Sequence, residues 1–362
     1  MQIEISKEPR PKIPLEDLVF GHTFTDHMLT CEWTREGGWG RPQIVPFGDL
    51  RLPPSASCLH YATECFEGMK AYKDSLGNIR LFRPDLNMQR LINSARRLAL
   101  PDFEEKELLS LIKTLLKIDR EWIPEKPGYS LYIRPTIIGT GASLGVSPSN
   151  KAMLFVICCP VGPYYRTGFS AVSLYAEDRF VRAWPGGTGA YKLGANYAAG
   201  ILPQMQVAPF GYQQVLWIFG EEHLITEVGT MNCFIFWINE QGKRELVTAP
   251  LTDGTILPGV TRDSILSLAR TWNEFEVSER SVSMKEVVLA INEGRLLEMF
   301  GSGTAAVVSP IKTINYLGQD WSIPLDPSDP SSQAGPLAKR FWEAITLIQY
   351  GQVPHEWSWV ID

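Results

Sequence analysis

Apolar residues recur along the chain in two rhythms, one helical and one extended. Behind Pro84 and Asp85, the residues Leu86, Leu91, Ile92, Ala95 and Leu98 fall on one face at helical spacing. A second helix is expected from Leu108, Ile112, Leu115 and Leu116, with Pro101, Asp102 and Glu105 as a start resembling a capping box. Further helices are predicted over residues 261–270, directly after Pro258 and Gly259, over residues 284–291, and over residues 336–350, where Leu337, Phe341, Ile345 and Ile348 share a face. Extended segments are expected from residue 18 through Leu18, Val19 and Phe20, and at residues 79–82, 171–175, 214–219 and 233–238. Residues 130–135 alternate, so Tyr132 and Arg134 point to the same side of a strand. Residues 152–159 form a continuous apolar run, as a buried strand does.

This mixture predicts an α/β (α+β) chain. With 362 residues there is room for two domains. The connector after the apolar run carries Pro and Gly, which places an N-terminal domain at residues 1–162, a linker at 163–172 and a larger C-terminal domain at 173–362. No repeat and no low-complexity tract is present.

Composition narrows the function classes. The charge of −6, from 34 basic and 40 acidic residues, gives no support for a nucleic-acid or anionic-membrane partner. No apolar run reaches membrane-spanning length. The lead from Met1 to Pro14 has the pattern of neither a signal nor a transit peptide, so no targeting segment is expected, and cytoplasm and mitochondrial matrix both remain open. Six cysteines without a C-x-x-C pair point to a reducing compartment, and five scattered histidines predict no metal.

The densest chemistry lies at residues 186–197 (GGTGAYKLGANY). Glycines let a backbone approach a ligand, and a lysine in apolar company becomes a usable nucleophile. A phosphate-binding P-loop needs Gly before the Lys and Ser or Thr after it, where Tyr191 and Leu193 stand. In the G-x-G-x-x-G fingerprint counted from Gly187, the sixth place is Lys192 itself. A lysine that forms a Schiff base with a carbonyl cofactor and a solvated lysine on a glycine loop stand about equal on this stretch alone. The helix opening after Pro258 and Gly259 offers free N–H groups to an anion, and the Gly-rich turn expected at residues 301–304 offers backbone donors.

Six blocks in order, residues 65–72 (CFEGMKAY), 80–84 (RLFRP), 189–197 (GAYKLGANY), 226–232 (TEVGTMN), 256–262 (ILPGVTR) and 300–304 (FGSGT), resemble the branched-chain amino acid aminotransferases, eukaryotic members above all. The likeness covers nearly the whole chain. It implies a fold-type IV enzyme with a smaller N-terminal and a larger C-terminal domain, a homodimer, and pyridoxal 5'-phosphate as cofactor. The implied reaction moves an amino group between L-leucine, L-isoleucine or L-valine and 2-oxoglutarate by a ping-pong route.

The resemblance also implies roles. Lys192 matches the Schiff-base lysine, Glu227 the carboxylate on the pyridine nitrogen, and Tyr197 the tyrosine on the phenolic oxygen. Arg90 matches the arginine on the phosphate, with Val260, Thr261 and Thr304; sequence alone does not select Arg90 over Arg83, Arg96 or Arg97. Phe20, Phe66, Tyr132, Tyr164, Thr230 and Met231 match positions lining an apolar side-chain pocket, although aromatics are more often simply core. Tyr61 and the amides of Thr304 and Ala305 match the receptor of the α-carboxylate, and Arg134 is expected to meet the γ-carboxylate of glutamate. Animal members carry a redox C-x-x-C after the last block; Ala306 and Ser309 stand there, which implies that this thiol switch is absent. The rivals are a D-amino acid aminotransferase, an aminodeoxychorismate lyase, and a catalytically inert pyridoxal-phosphate-binding protein.

Overall fold

The computed structural model describes residues 1–163 and 169–361. Its contacts divide into two units, one of Met1–Tyr164, Tyr191–Ala195 and Leu347–Asp362, the other of Tyr165–Ala190 and Asn196–Thr346. This differs from a contiguous split at residues 163–172. The last strand, Ser358–Ile361, pairs antiparallel with Ile79–Phe82, which ties the C-terminus to the first unit. Such returns are set by pairing between distant segments and leave no local composition signal.

The first unit is built on one sheet. Its strands run in the order Gln2–Ile3, Gln43–Pro46, His27–Thr34, Lys151–Val161, Ser130–Gly139, Met69–Lys73, Ile79–Phe82 and Ser358–Ile361. Glu64–Phe66 adds to Ser130–Gly139 off this path, in register Phe66↔Thr136. The helices Pro84–Arg97 and Glu105–Ile118 bury Leu91, Ile112, Leu115 and Leu116 completely in the same core as Leu131, Ile133 and Val156. Apolar burial at these positions is the main stabilising term and holds the first helix in place.

Two expectations change here. Residues 18–26 form no strand: Leu15–Asp17 is a single 3₁₀ turn, and extension begins only at His27. Too few apolar positions alternate there to pair with a neighbour, and Phe20 instead packs edge-on against Tyr132. The second helix starts at Glu105 with no side-chain cap, because Asp102 accepts from Arg96 Nε at 2.8 Å instead of from the helix.

The second unit closes on itself. Pairings run from Leu224–Val228 through Gln214–Phe219, Val172–Glu177, Val307–Tyr316, Leu296–Gly303 and Met231–Ile238, and the last pairs again with the first at Glu227↔Asn232 and Val228↔Met231. The hairpin that closes the ring turns at Gly229, whose φ of +55° suits glycine. Phe234 and Phe300 are wholly buried and stacked with ring centroids 5.3 Å apart; Phe300 and Phe341 follow at 6.0 Å, Phe341 coming from the helix Pro336–Gln349. The helices Val260–Trp272 and Met284–Asn292 complete the unit, the latter with a full capping box between Ser283 and Glu286. Gly301, Ser302 and Gly303 are strand, not turn: Gly301 and Ser302 pair on both sides, with Asn232↔Ser302 and Ser302↔Val308, Gly303 pairs with Val307, and the turn begins only at Thr304.

Candidate functional site

In the first unit, Lys192 is held through its main chain. Its N–H donates to Ser94 Oγ at 2.9 Å, and its carbonyl accepts from Phe66 N–H at 3.1 Å. Leu193, buried, bridges to Cys65, so the residues around the lysine lie along the Glu64–Phe66 strand. The ammonium lies 4.9 Å from the centroid of the Phe66 ring, a cation–π distance. Lys192 is thus a half-buried residue on a fixed backbone, which rejects the reading of a solvated lysine on a glycine loop.

The helix Pro84–Arg97 supplies three groups from one face at positions 87, 90 and 94. Ser94 takes Lys192. Arg90 is buried and grips Glu67 with two bonds, Nε to Oε1 at 2.7 Å and Nη2 to Oε2 at 2.9 Å. Asn87 and the Gly68 N–H donate to the same Oε2 at 2.8 and 3.0 Å. Burial alone would push the Glu67 carboxyl up, but Arg90, then Lys192 and Asn87, override it and hold the group below its ordinary value.

Tyr132 and Arg134 share a side, as their alternation requires. Arg134 Nη2 donates to the Tyr132 hydroxyl at 3.0 Å, and its guanidinium sits 4.4 Å from the Phe66 centroid. Arg134 Nε is buried with no hydrogen-bond partner among the described residues, a donor suited to an acidic ligand. Phe20 packs on Tyr132 at 4.9 Å, and a side-chain carbon at Gly68 would collide with the Tyr132 hydroxyl. Phe20, Phe66, Tyr132, Arg134 and Lys192 therefore form one aromatic and cationic cluster. Tyr61 stands apart, exposed, with its hydroxyl on the Leu144 carbonyl. Tyr164 lies outside the described residues.

In the second unit, Glu227 is 2% exposed on the ring-closing hairpin. Oε1 accepts from Leu257 N–H at 2.7 Å, and Oε2 is 2.8 Å from Arg182 Nε. Arg182 in turn donates to the Thr255 carbonyl at 3.1 Å. Arg182, Tyr197, Trp217, Gly229 and Thr230 line a mostly apolar cavity of about 200 Å³. Met231, buried, opens the next strand. Val260 and Thr261 are the buried first residues of their helix, which has Gly259 at its N-cap and no side-chain cap. Uncapped buried N–H groups suit an anion. Thr304 and Ala305 occupy a half-buried turn after Ser302, whose buried Oγ has no hydrogen-bond partner among the described residues.

Sequence reasoning missed Glu67, Asn87, Ser94, Arg182 and Lys70. The spacing 87, 90, 94 was a legible signal for two of these. Lys70 is buried on Met69–Lys73, in register with Tyr132, and burial pushes its ammonium down to about 8. Among the described residues no cluster of His, Cys, Asp or Glu has the arrangement of a metal site, and no helix is long and apolar enough to cross a membrane.

These residues fit pyridoxal phosphate by their chemistry: a fixed lysine, a buried carboxylate, an uncapped helix start, a buried arginine and orphaned buried donors. Replacing Ser94 by Ala removes one main-chain anchor of Lys192. We expect Ser94→Ala to cost about 1 kcal/mol in urea unfolding and to speed amide hydrogen exchange at Lys192. Unchanged exchange would mean that Ser94 does not hold that backbone.

Comparisons with known proteins agree with this chemistry. The model of the class IV amino-transferases matches residues 64–314. A branched-chain-amino-acid aminotransferase of Dictyostelium discoideum is 57% identical over 345 residues, 95% of this chain and 90% of the relative. The cytosolic enzyme of that name in Saccharomyces cerevisiae is 57% identical over 97% of this chain and 94% of its own, and the mitochondrial one 54% identical over 99% and 92%. Among solved structures, a T.th. branched-chain amino acid aminotransferase with pyridoxamine 5'-phosphate superposes with a TM-score of 0.71 at 25% identity, covering 92% of this chain and 98% of that one. With the family model spanning most of its length and relatives sharing more than half its residues, the chain belongs to the class IV aminotransferases, among the branched-chain-amino-acid aminotransferases.

Proposed function

We infer that this protein is a pyridoxal-phosphate-dependent transaminase that moves the amino group of L-leucine, L-isoleucine or L-valine to 2-oxoglutarate and back. The observation that carries this is likeness at more than half of all positions, along nearly the whole chain, to proteins named for that activity. The cofactor, when bound, supplies a conjugated ring that takes up the electron pair released as the substrate Cα–H bond breaks.

The residues divide that work. Lys192 Nζ takes the proton from the substrate Cα and returns one in the same reaction, and the fixed main chain limits how far that nitrogen wanders. Glu227, an acceptor-only carboxylate while ionised, holds a proton on the ring nitrogen, and Arg182 Nε stands 2.8 Å from its Oε2. Tyr197 donates to the phenolic oxygen. Arg90, the first N–H groups of Val260–Trp272 and Thr304 bind the phosphate. Phe20, Phe66, Tyr132, Thr230 and Met231 exclude water from a branched apolar side chain, and Thr304, Ala305 and, once its hydroxyl leaves the Leu144 carbonyl, Tyr61 receive the α-carboxylate. Arg134 reaches the γ-carboxylate of glutamate with its buried Nε–H. A guanidinium 4.4 Å from the Phe66 centroid puts a cation beside an apolar ring, which suits the aromatic cluster to two unlike substrates.

The exposed apolar face of Ile201, Leu202, Met205 and Phe210 supports assembly as a homodimer, since a contiguous apolar patch is costly in water. Relatives of this chain are both cytosolic and mitochondrial, and we place it in one of those compartments.

The test is the visible spectrum of the protein with pyridoxal phosphate. L-leucine alone should abolish the cofactor's band, and 2-oxoglutarate should restore it. A band that ignores leucine and responds to D-alanine would overturn the substrate class. Arg134→Ala should lower kcat/KM for glutamate by roughly tenfold or more beyond any loss for leucine, the worth of a charge-assisted bond. Equal losses for both substrates would remove Arg134 from this role.

A further inference from the structure

Glu67 is completely buried in the link between the strands Glu64–Phe66 and Met69–Lys73, a costly place for a carboxylate unless several donors meet it. Four do. Arg90 binds it through Nε and Nη2, and Asn87 and the Gly68 N–H add two bonds to Oε2. Its own N–H donates to the Pro135 carbonyl at 2.8 Å, so the carboxylate is referenced to the central strand Ser130–Gly139. The two-point grip fixes both the plane and the direction of the guanidinium, and with them the direction of Nη1. A lysine in that place would swing as a point charge.

We propose that Glu67 is the positioning residue of the phosphate anchor: it orients Arg90 for the cofactor's phosphate and supplies the counter-charge shared by Arg90 and Lys192. This rests on the reading of Arg90 as a phosphate ligand. Arg90, Lys192 and Glu67 together carry one net positive charge, which favours an incoming phosphate. Without Glu67, Arg90 keeps its charge and loses its direction. Among the described residues, the charged groups on Lys192 or on its neighbours in its own unit include Glu67, Arg90, Arg134 on the same Phe66 ring, Glu64 near Arg134, Lys70 in register with Tyr132, and Arg97 at 5.8 Å from the Tyr191 centroid. Glu67 is the fully buried anion of that set.

Charge and geometry separate in two variants of the whole protein, each titrated with pyridoxal phosphate. Glu67→Gln keeps the shape and removes the charge. It should weaken cofactor retention roughly tenfold or more, through lost charge-assisted bonds, and lower the pH midpoint of the bound cofactor's visible band by about one unit, because an anion near a protonated nitrogen has gone. Glu67→Asp keeps the charge and shortens the reach. It should lose retention while leaving that midpoint in place. If Glu67→Gln does not fold, Glu67→Asp tests the orientation by retention alone.

Retention equal to or tighter than that of the parent protein in either variant would overturn the positioning role; in Glu67→Gln the extra net positive charge by itself attracts phosphate, so only lost orientation accounts for a loss there. An unmoved midpoint in Glu67→Gln would overturn the counter-charge. Arg90→Ala, titrated in parallel, separates the two levels. If it retains the cofactor normally, the phosphate assignment of Arg90 falls; if it loses the cofactor while both Glu67 variants keep it, only the role of Glu67 falls.

Discussion

The backbone of Lys192 is pinned at both ends of its peptide unit, to Ser94 on one side and Phe66 on the other, and the first unit's chemistry depends on that pinning. A lysine side chain has four rotatable bonds and loses much entropy when ordered, so it is a useful acid–base group only if its root does not move. Each anchoring bond is worth about 1 kcal/mol, too little to order a loop by itself. The buried Leu193 beside it adds the apolar term that makes the docking hold. The helix Pro84–Arg97 is the common reference, since one face carries the group that takes Lys192 and the two groups that hold Glu67.

Among the described residues, each unit also holds an ion pair of carboxylate and arginine in which both partners are buried: Glu67 with Arg90, and Glu227 with Arg182. Buried ion pairs are poor stabilisers, and an apolar pair of similar volume often does as well, but removing one partner costs roughly 3–5 kcal/mol. Their presence is better explained by charge than by stability. They keep ionised groups where water cannot solvate them, and a ligand with a phosphate and a ring nitrogen needs such groups. The uncapped start of Val260–Trp272 follows the same logic, because its donors lack a side-chain partner within the helix.

Much of this was legible in the sequence, for reasons that differ by element. The helix Pro84–Arg97 was readable because apolar spacing is a local signal, and Tyr132 with Arg134 because alternation fixes a strand face. Lys192 stood out through its glycines, yet its partners lie far off in sequence, so its docking could not be read. Glu67 lies within the motif of residues 65–72, but a charged residue among apolar ones reads alike whether buried or solvated. Gly301 to Gly303 were over-read as a turn because glycine favours turns; strand pairing prevailed. The C-terminal strand's return to Ile79–Phe82 left no local trace at all.

The central claim, that Lys192 is the lysine that bonds the cofactor, has a rival within the same unit. Burial lowers Lys70 to about 8, which is also how a reactive lysine is made. Borohydride reduction of the protein loaded with pyridoxal phosphate, followed by peptide mapping, distinguishes them directly. The account predicts a reduced adduct on the peptide carrying Lys192 and none on that carrying Lys70. An adduct on Lys70, with Lys192 unmodified, would contradict it.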